Sequence, residues 1–275
     1  VSETPQGITL GSDVRFTTNF GTGPGECDPP EQAPDLGASY HVQQPFPSFG
    51  ATSPGGTPYE IGLGISASGF NQLLRSQVEC GLLVATITEL DIFGTGVPLP
   101  LTTGLLGVFI PELALLGNDH PARIEIAPTI APLITGAPGP GGELALLKIA
   151  QLFFKVLVDF DNGAGPVEID AADFFLDVDV GIDLAFDAGT GALEFQLAEP
   201  NPSFITVKSV ENPIGADLST VEALLPSVVG SFLPALAGGL GSFPVPSFLG
   251  LQLNVVEVGR NGQMLTLYAN LDEAP

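Results

Sequence analysis

The sequence predicts an α+β protein: an antiparallel sheet with one apolar face, covered by two amphipathic helices. Two observations carry this. Over 174–199, Leu176, Val178, Val180, Ile182, Leu184 and Phe186 alternate with Asp177, Asp179, Gly181, Asp183, Ala185 and Asp187, and after Gly189-Thr190-Gly191 the chain returns through Leu193, Phe195 and Leu197. That is a hairpin with a wholly apolar side and an acidic side, as in a sheet solvated on one face. Between Asp217 and Glu257 the chain carries a single charge, Glu222, although its formal net charge is −24. A helix that apolar in an acidic protein needs apolar material beside it.

The elements follow in order. Residues 8–20 read as a strand, with Ile8, Leu10, Val14 and Phe16 alternating against mostly polar neighbours. The Pro-, Gly- and Ser-rich stretch 21–58 is a covering loop or linker, so the chain divides into a lead-in segment, 1–58, and a main domain, 59–275. Tyr59, Ile61, Leu63 and Ile65 form a short one-faced strand. Ser68 then caps a helix over 69–84, which turns Phe70, Leu73, Leu74, Gln77, Cys80, Gly81 and Val84 one way and pairs Arg75 with Glu79 on the other side.

A short helix is expected near 105–116, and strands over 122–127 and 143–161. The second helix, 218–240, presents Leu218, Val221, Leu224, Leu225, Val228, Val229, Phe232, Leu233 and Leu236 over about half its circumference, and Pro226 and Pro234 bend it. The chain closes with strand 249–258, a turn at Arg260-Asn261-Gly262, and strand 265–271. A bent apolar helix on a curved apolar sheet either packs tightly or leaves a slot, and composition alone leaves both open.

Mean hydropathy is +0.38 with 31 acidic and 7 basic residues, so apolar and acidic positions are sharply segregated. Such a surface repels nucleic acid, polyphosphate and anionic membrane. The start Val1-Ser2-Glu3-Thr4-Pro5 reads as a mature or trimmed terminus, and Pro226, Pro234 and the glycines of 230–241 make 223–243 a poor membrane span. Cys27 and Cys80 are the only cysteines; free core thiols are the alternative, but the even count favours a disulfide and with it a secreted, periplasmic or outer-surface address.

The order Tyr59-Glu-Ile-Gly-Leu-Gly-Ile-Ser66, Ala67-Ser-Gly-Phe-Asn71, Leu101-Thr-Thr-Gly-Leu-Leu-Gly-Val-Phe-Ile-Pro-Glu112, a Pro-broken apolar helix, Gly241-Ser-Phe-Pro-Val-Pro246 and a closing hairpin ending Leu-Tyr-Ala-Asn-Leu271 resembles the bactericidal/permeability-increasing protein family. The similarity is to the carboxy-terminal half of that family's two-domain members, within the tubular lipid-binding (TULIP) superfamily. It implies a single TULIP-type domain: a curved antiparallel sheet wrapped around two long helices, 69–84 and 218–240, with a hydrophobic tunnel for acyl chains and Phe243, Pro244 and Pro246 marking the return to the sheet. The chain departs from the family in showing one tubular unit, in lacking a cationic tip, and in a cysteine pair that does not match the family disulfide. Lipid accommodation carries over; killing or endotoxin-neutralising activity does not.

No catalytic chemistry is expected. His41 and His120 are isolated, no Gly-x-Ser-x-Gly elbow, phosphate loop or dinucleotide fingerprint occurs, and no cofactor or metal is implied. Asp159-Phe-Asp161-Asn-Gly163 fails as a calcium loop because Ala164 stands where glycine is required; the row Asp177, Asp179, Asp183, Asp187 is a solvated face first and a weak calcium site second. The expected function is non-enzymatic binding or transfer of acyl chains or a sterol. The lining expected is Phe70, Leu73 and Leu74; Val178, Ile182, Leu184, Phe186 and Phe195; and Val221, Leu225, Val228, Val229, Phe232 and Leu236. The alternative is a structural module with a collapsed tunnel, assembling through the 8–20 strand as a dimer or with a second TULIP unit. Partners expected are a lipid and, transiently, a membrane, with no nucleic acid.

Overall fold

In the computed structural model the chain opens with a hairpin of β1 (Ser2–Thr4) and β2 (Gly7–Thr9), and β3 (Ile61–Ser66) leads directly into α1 (Ala67–Glu79). Next come β4 (Ala85–Ile87), β5 (Glu89–Leu90), β6 (Leu99–Pro100), the one-turn α2 (Thr103–Leu106) and a 3-10 helix, Pro111–Leu116. The sheet strands β7 (Ala122–Pro128), β8 (Leu133–Thr135), β9 (Ala145–Asp161), β10 (Pro166–Asp187), β11 (Ala192–Leu197) and β12 (Ile205–Glu211) follow, then β13 (Ser242–Pro244), β14 (Leu251–Asn261) and β15 (Met264–Glu273). The structure describes residues 15–23, 26–28, 36, 45–91, 96–117, 119–161, 163, 165–187, 190–199, 201–215, 217, 219, 225, 228–230, 242–244 and 251–273, and the backbone course of 2–4 and 7–9.

Two long strands organise the molecule. β10 has β9 along one edge, while its other edge is shared by β12, opposite Asp173–Val178, and β11, opposite Ile182–Asp187. β9 divides its outer edge in the same way between β7 and β8. The eight-stranded antiparallel sheet therefore runs β13-β11-β10-β9-β7-β4 with β12 and β8 as side branches, and it curls strongly into a half-barrel. The register slips beside Ala171 on β10, and it slips again where Gln151 on β9 takes a positive φ of 51°. Each slip is a β-bulge, and bulges bend a strand and raise its twist, which is how strands this long follow a curled path.

A second sheet, β14-β15-β3, is joined to the first where the Gly262–Gln263 hairpin turn meets the end of β8. There a Cβ at Gly136 would overlap the Cα and Cβ of Gln263, and Arg260 Nη1 donates to Gly136 O at 2.9 Å. The turn falls at Gly262, φ 62°, and Gln263, one step beyond the expected Arg260-Asn261-Gly262. On β3 the glycines leave room for an incoming loop: a Cβ on Gly62 would strike the ring of Phe49, and one on Gly64 would sit 3.1 Å from Pro47.

Several expectations are corrected. Residues 15–19 are not part of a strand, although 8–20 was expected to be one. Instead they lie along α1, where Phe16 N–H donates to Gln72 Oε1 at 3.2 Å and Thr18 Oγ1 donates to Glu79. Their backbone hydrogen-bonding groups are drawn to the helix surface and the adjoining Cys27 loop rather than to a sheet ladder. The helix cap is Ser66, which accepts from Ser68 N–H at 3.2 Å, so α1 begins before the expected Gly69. It ends earlier too, because Gly81 at φ 95° closes a Schellman motif, with Gly81 N–H bonding Val78 O and Leu82 N–H bonding Gln77 O, both at 2.9 Å. The helix expected at 105–116 is two pieces, α2 and the 3-10 turn, divided at Gly107–Ile110 before Pro111. Of the helix expected over 218–240, backbone at Ser219, Leu225 and 228–230 is helical, and the rest of that range lies outside the described residues. Pro246 lies outside them also, whereas Phe243 and Pro244 return to the sheet in β13, as expected, pairing with Leu193 and Ala192.

Candidate functional site: the apolar interior between helix and sheet

The covering helix is set by its own spacing. Ala67, Phe70, Asn71, Leu74 and Val78 form the buried stripe of α1, three and four residues apart. The one polar member, Asn71, is satisfied by the backbone of β8: Nδ2 donates to Ile134 O at 3.1 Å and Ile134 N–H donates to Oδ1 at 2.6 Å. The Cys27–Cys80 disulfide is present and fastens the irregular N-terminal loop to the end of α1, where Arg75 and Glu79 pair at 3.0 Å.

Facing α1, β10 contributes Phe174, Leu176, Val178, Val180, Ile182 and Leu184. Neighbouring β9 adds Leu147, Ile149, Leu152, Phe154 and Val156, and Phe154 stacks on Phe174 at 5.4 Å. Phe70 meets Phe195 of β11 edge to face at 5.2 Å, which joins the helix to the far side of the curl. Leu225, Val228 and Val229 belong to the same buried cluster.

Of the lining residues expected from sequence, the structure brings Phe70, Leu74, Val178, Ile182, Leu184, Phe195, Leu225, Val228 and Val229 into that one cluster. Leu73 and Phe186 are half-buried. Val221, Phe232 and Leu236 lie outside the described residues. Val78, buried on α1 but outside that cluster, was missed as part of the helix's inner face; it stands four residues beyond Leu74, a signal that the face read through Leu73 and Gln77 concealed. Leu106, Ile110 and Leu113, around the break between α2 and the 3-10 helix, also join the cluster. The side chains are closely packed: Leu74 and Val229 are 0% exposed and Val178 and Ile182 1%.

The opposite face of the sheet is charged and largely paired. Lys148 holds both oxygens of Asp179 at 2.8 and 3.0 Å, and Lys208 holds Asp177 at 2.7 Å. Burial raises the Asp177 carboxyl, but the Lys208 hydrogen bond and the Gln151 N–H outweigh it and leave the pKa below the usual range. Asp183 accepts from Leu144 N–H at 2.9 Å, and Asp187 accepts from Thr190 Oγ1. The acidic row is thus occupied by lysines and chain donors, and among the described residues no group of acidic, His or Cys side chains is arranged to hold a metal. Arg123 bridges Glu125, Asp159 and Glu168, while Lys155 pairs with Asp170 at 2.5 Å. Beside that pair Asp173 is buried, and desolvation, with the neighbouring Asp170 charge, pushes its pKa up to about 6.

A cavity of about 150 Å³ opens on this side, lined by Glu143, Asp179, Glu199, Asn201 and Phe204 among others. Its carboxylates make it unsuited to hydrocarbon. His120 packs on Phe160 at 4.6 Å, and His41 lies outside the described residues. No described helix is long and apolar enough to cross a membrane.

No family model matches the chain, and no curated protein matches it. Among solved structures it is similar to a lipopolysaccharide binding protein, with 19% identity and a TM-score of 0.48 over 71% of this chain and 42% of that one. It is also similar to P47 of Clostridium botulinum E1, with 10% identity and a TM-score of 0.28 over 78% of this chain and 49% of that one. The chain thus spans less than half the length of either structure.

Proposed function

We propose that this chain is a non-enzymatic, extracytoplasmic protein that binds or carries a lipid, acyl chains or a sterol, between α1, the helical residues Leu225 and 228–230, and the concave sheet. The observation that carries the reading is the single buried apolar cluster in which Phe70, Leu74, Val178, Ile182, Phe195, Leu225 and Val229 meet, with Val178 and Ile182 alternating along β10 against Asp177, Asp179 and Asp183 of the acidic face. Desolvation is worth ~0.8 kcal/mol per CH₂, so a tail of about ten methylenes would be held without a head-group clamp. Residues 59–275 would form the binding unit and 1–58 its lead-in, and the disulfide fits an oxidising compartment. Because these side chains touch one another closely, a guest would enter by displacing the second helix from the sheet.

The test is organic extraction of the purified protein followed by mass spectrometry, with titration of a fluorescent fatty acid. A co-extracted lipid or saturable uptake is the expected result; neither appearing would overturn the reading. A second reading, a structural module with a filled interior, is favoured by the near-zero exposure of Leu74, Val178, Ile182 and Val229. It predicts no uptake at any lipid concentration.

A further inference from the structure

Residues 96–117 carry one charge, Glu112, in a chain of net charge −24. The structure divides their apolar side chains into two sets. Leu101, Leu106, Ile110 and Leu113 are buried in the core, and Thr103 pins the segment through Gly117 O and His120 N–H. α2 then lies so close to the 3-10 helix that a Cβ on Gly107 would sit 3.1 Å from the Cβ of Ala114. Val108 and Leu115 each directly follow a residue of that close contact, so they stand near one another. They are 66% and 86% exposed, whereas half-buried Leu105, Phe109 and Leu116 pack against the core and anchor the pair beneath them. Meanwhile Glu112 keeps its Oε2 buried and unpartnered, so the one charge of the segment is drawn partly out of the surface.

We infer that this part of the segment is a docking surface for an electrically neutral lipid interface, into which Val108 and Leu115 insert. Charge selects the occupant. A second copy would bring one strongly anionic molecule against another, and an anionic bilayer would be repelled likewise. The exposed residues of 104–117, Val108, Pro111, Ala114, Leu115 and Gly117, bring no hydrogen-bonding side chain of the kind that rims a protein interface. A zwitterionic bilayer accepts exposed Leu and Val side chains at its acyl boundary without any charge partner. The inference rests on the lipid-carrying reading for its purpose, since a carrier must load from a lipid surface, but it is measured separately.

The chain contains no Trp, so Leu115→Trp places a single reporter at the proposed contact. With phosphatidylcholine vesicles its emission should shift to the blue and be quenched by brominated acyl chains. Phosphatidylglycerol vesicles at low salt should give a weaker response. The double variant Val108→Asp/Leu115→Asp, folded by circular dichroism, should float with phosphatidylcholine vesicles at least about tenfold less than the parent. Its uptake of monomeric fluorescent fatty acid from water should be unchanged. An unshifted Trp, undiminished flotation of the double variant, or equal response to phosphatidylglycerol overturns the docking surface. So does light scattering that shows a dimer which the double variant dissociates. Vesicle docking without fatty-acid uptake supports the surface and removes the interior reading instead.

Discussion

Asn71 and Ile134 exchange two hydrogen bonds, at 3.1 and 2.6 Å, across the interior between α1 and β8. The amide replaces the ladder partner that β8 would have on that side, so helix and sheet are held in one register by a side chain 2% exposed. Asn71→Leu would leave the N–H and C=O of Ile134 buried and unsatisfied, at a cost of about 2–4 kcal/mol. Urea denaturation of the variant and the parent at one pH measures it.

The disulfide closes a loop with a sequence separation of 53 between Cys27 and Cys80. On chain-entropy grounds, replacing both cysteines by serine should lower stability by about 4 kcal/mol. The Phe16 and Thr18 contacts to α1 should loosen with it. Hydrogen exchange at Phe16 N–H, before and after reduction, reports on both.

Asp173 gives stability a pH dependence of definite sign. Its carboxyl rises from 3.8 unfolded to about 6 folded, because burial and Asp170 disfavour the charged form. The folded state therefore holds the proton more tightly. The contribution is fully present below about pH 4 and is lost as pH rises through about 6. Asp173→Asn should remove this dependence, stabilising the protein at pH 7 by up to about 3 kcal/mol and changing little at pH 4. Denaturation midpoints of both proteins across pH 4–8 give the comparison.

Elements governed by their own residues were legible in the sequence; those governed by a partner were not. The alternation of β10 is a local pattern and was read correctly; on α1 Phe70 and Leu74 were placed correctly, while Ala67, Asn71 and Val78 were missed, Leu73 and Gln77 are only half-buried and Val84 is exposed. The cysteine pairing was legible because two cysteines allow one disulfide. The bulges at Ala171 and Gln151 depend on how β9 and β10 register against each other, which neither strand records. The helix cap passed from Ser68 to Ser66 because both are serine, and the backbone remains extended at Ser66 (φ −70°, ψ 138°) before turning helical. Residues 15–19 fit a strand pattern but lie against α1, since Gln72 and Glu79 offer the partners that a neighbouring strand would have supplied.

Gly136 is a steric requirement at the junction of the two sheets, since a Cβ there overlaps Gln263 at its backbone as well as its side chain. Gly136→Ala must push the β14–β15 turn away from β8 and stretch the Arg260 hydrogen bond. Overpacking of this kind costs about 1–3 kcal/mol, and a calorimetric scan should show it as a lowered Tm. Gly142→Ala offers a contrast, because an added methyl there meets no neighbour within 4 Å and its cost arises only from the φ of 99°.

Arg75, Arg123, Lys148, Lys155 and Lys208 are each bound to carboxylates of this same chain, and Arg260 to a carbonyl. Little positive charge is left to balance the remaining acids, so the folded molecule compresses a field of one sign. Dissolved salt shortens the reach of that field to about 8–10 Å at ordinary ionic strength. Sodium chloride should accordingly raise the Tm even as it weakens the individual ion pairs, and desalting should bring the protein nearest to unfolding.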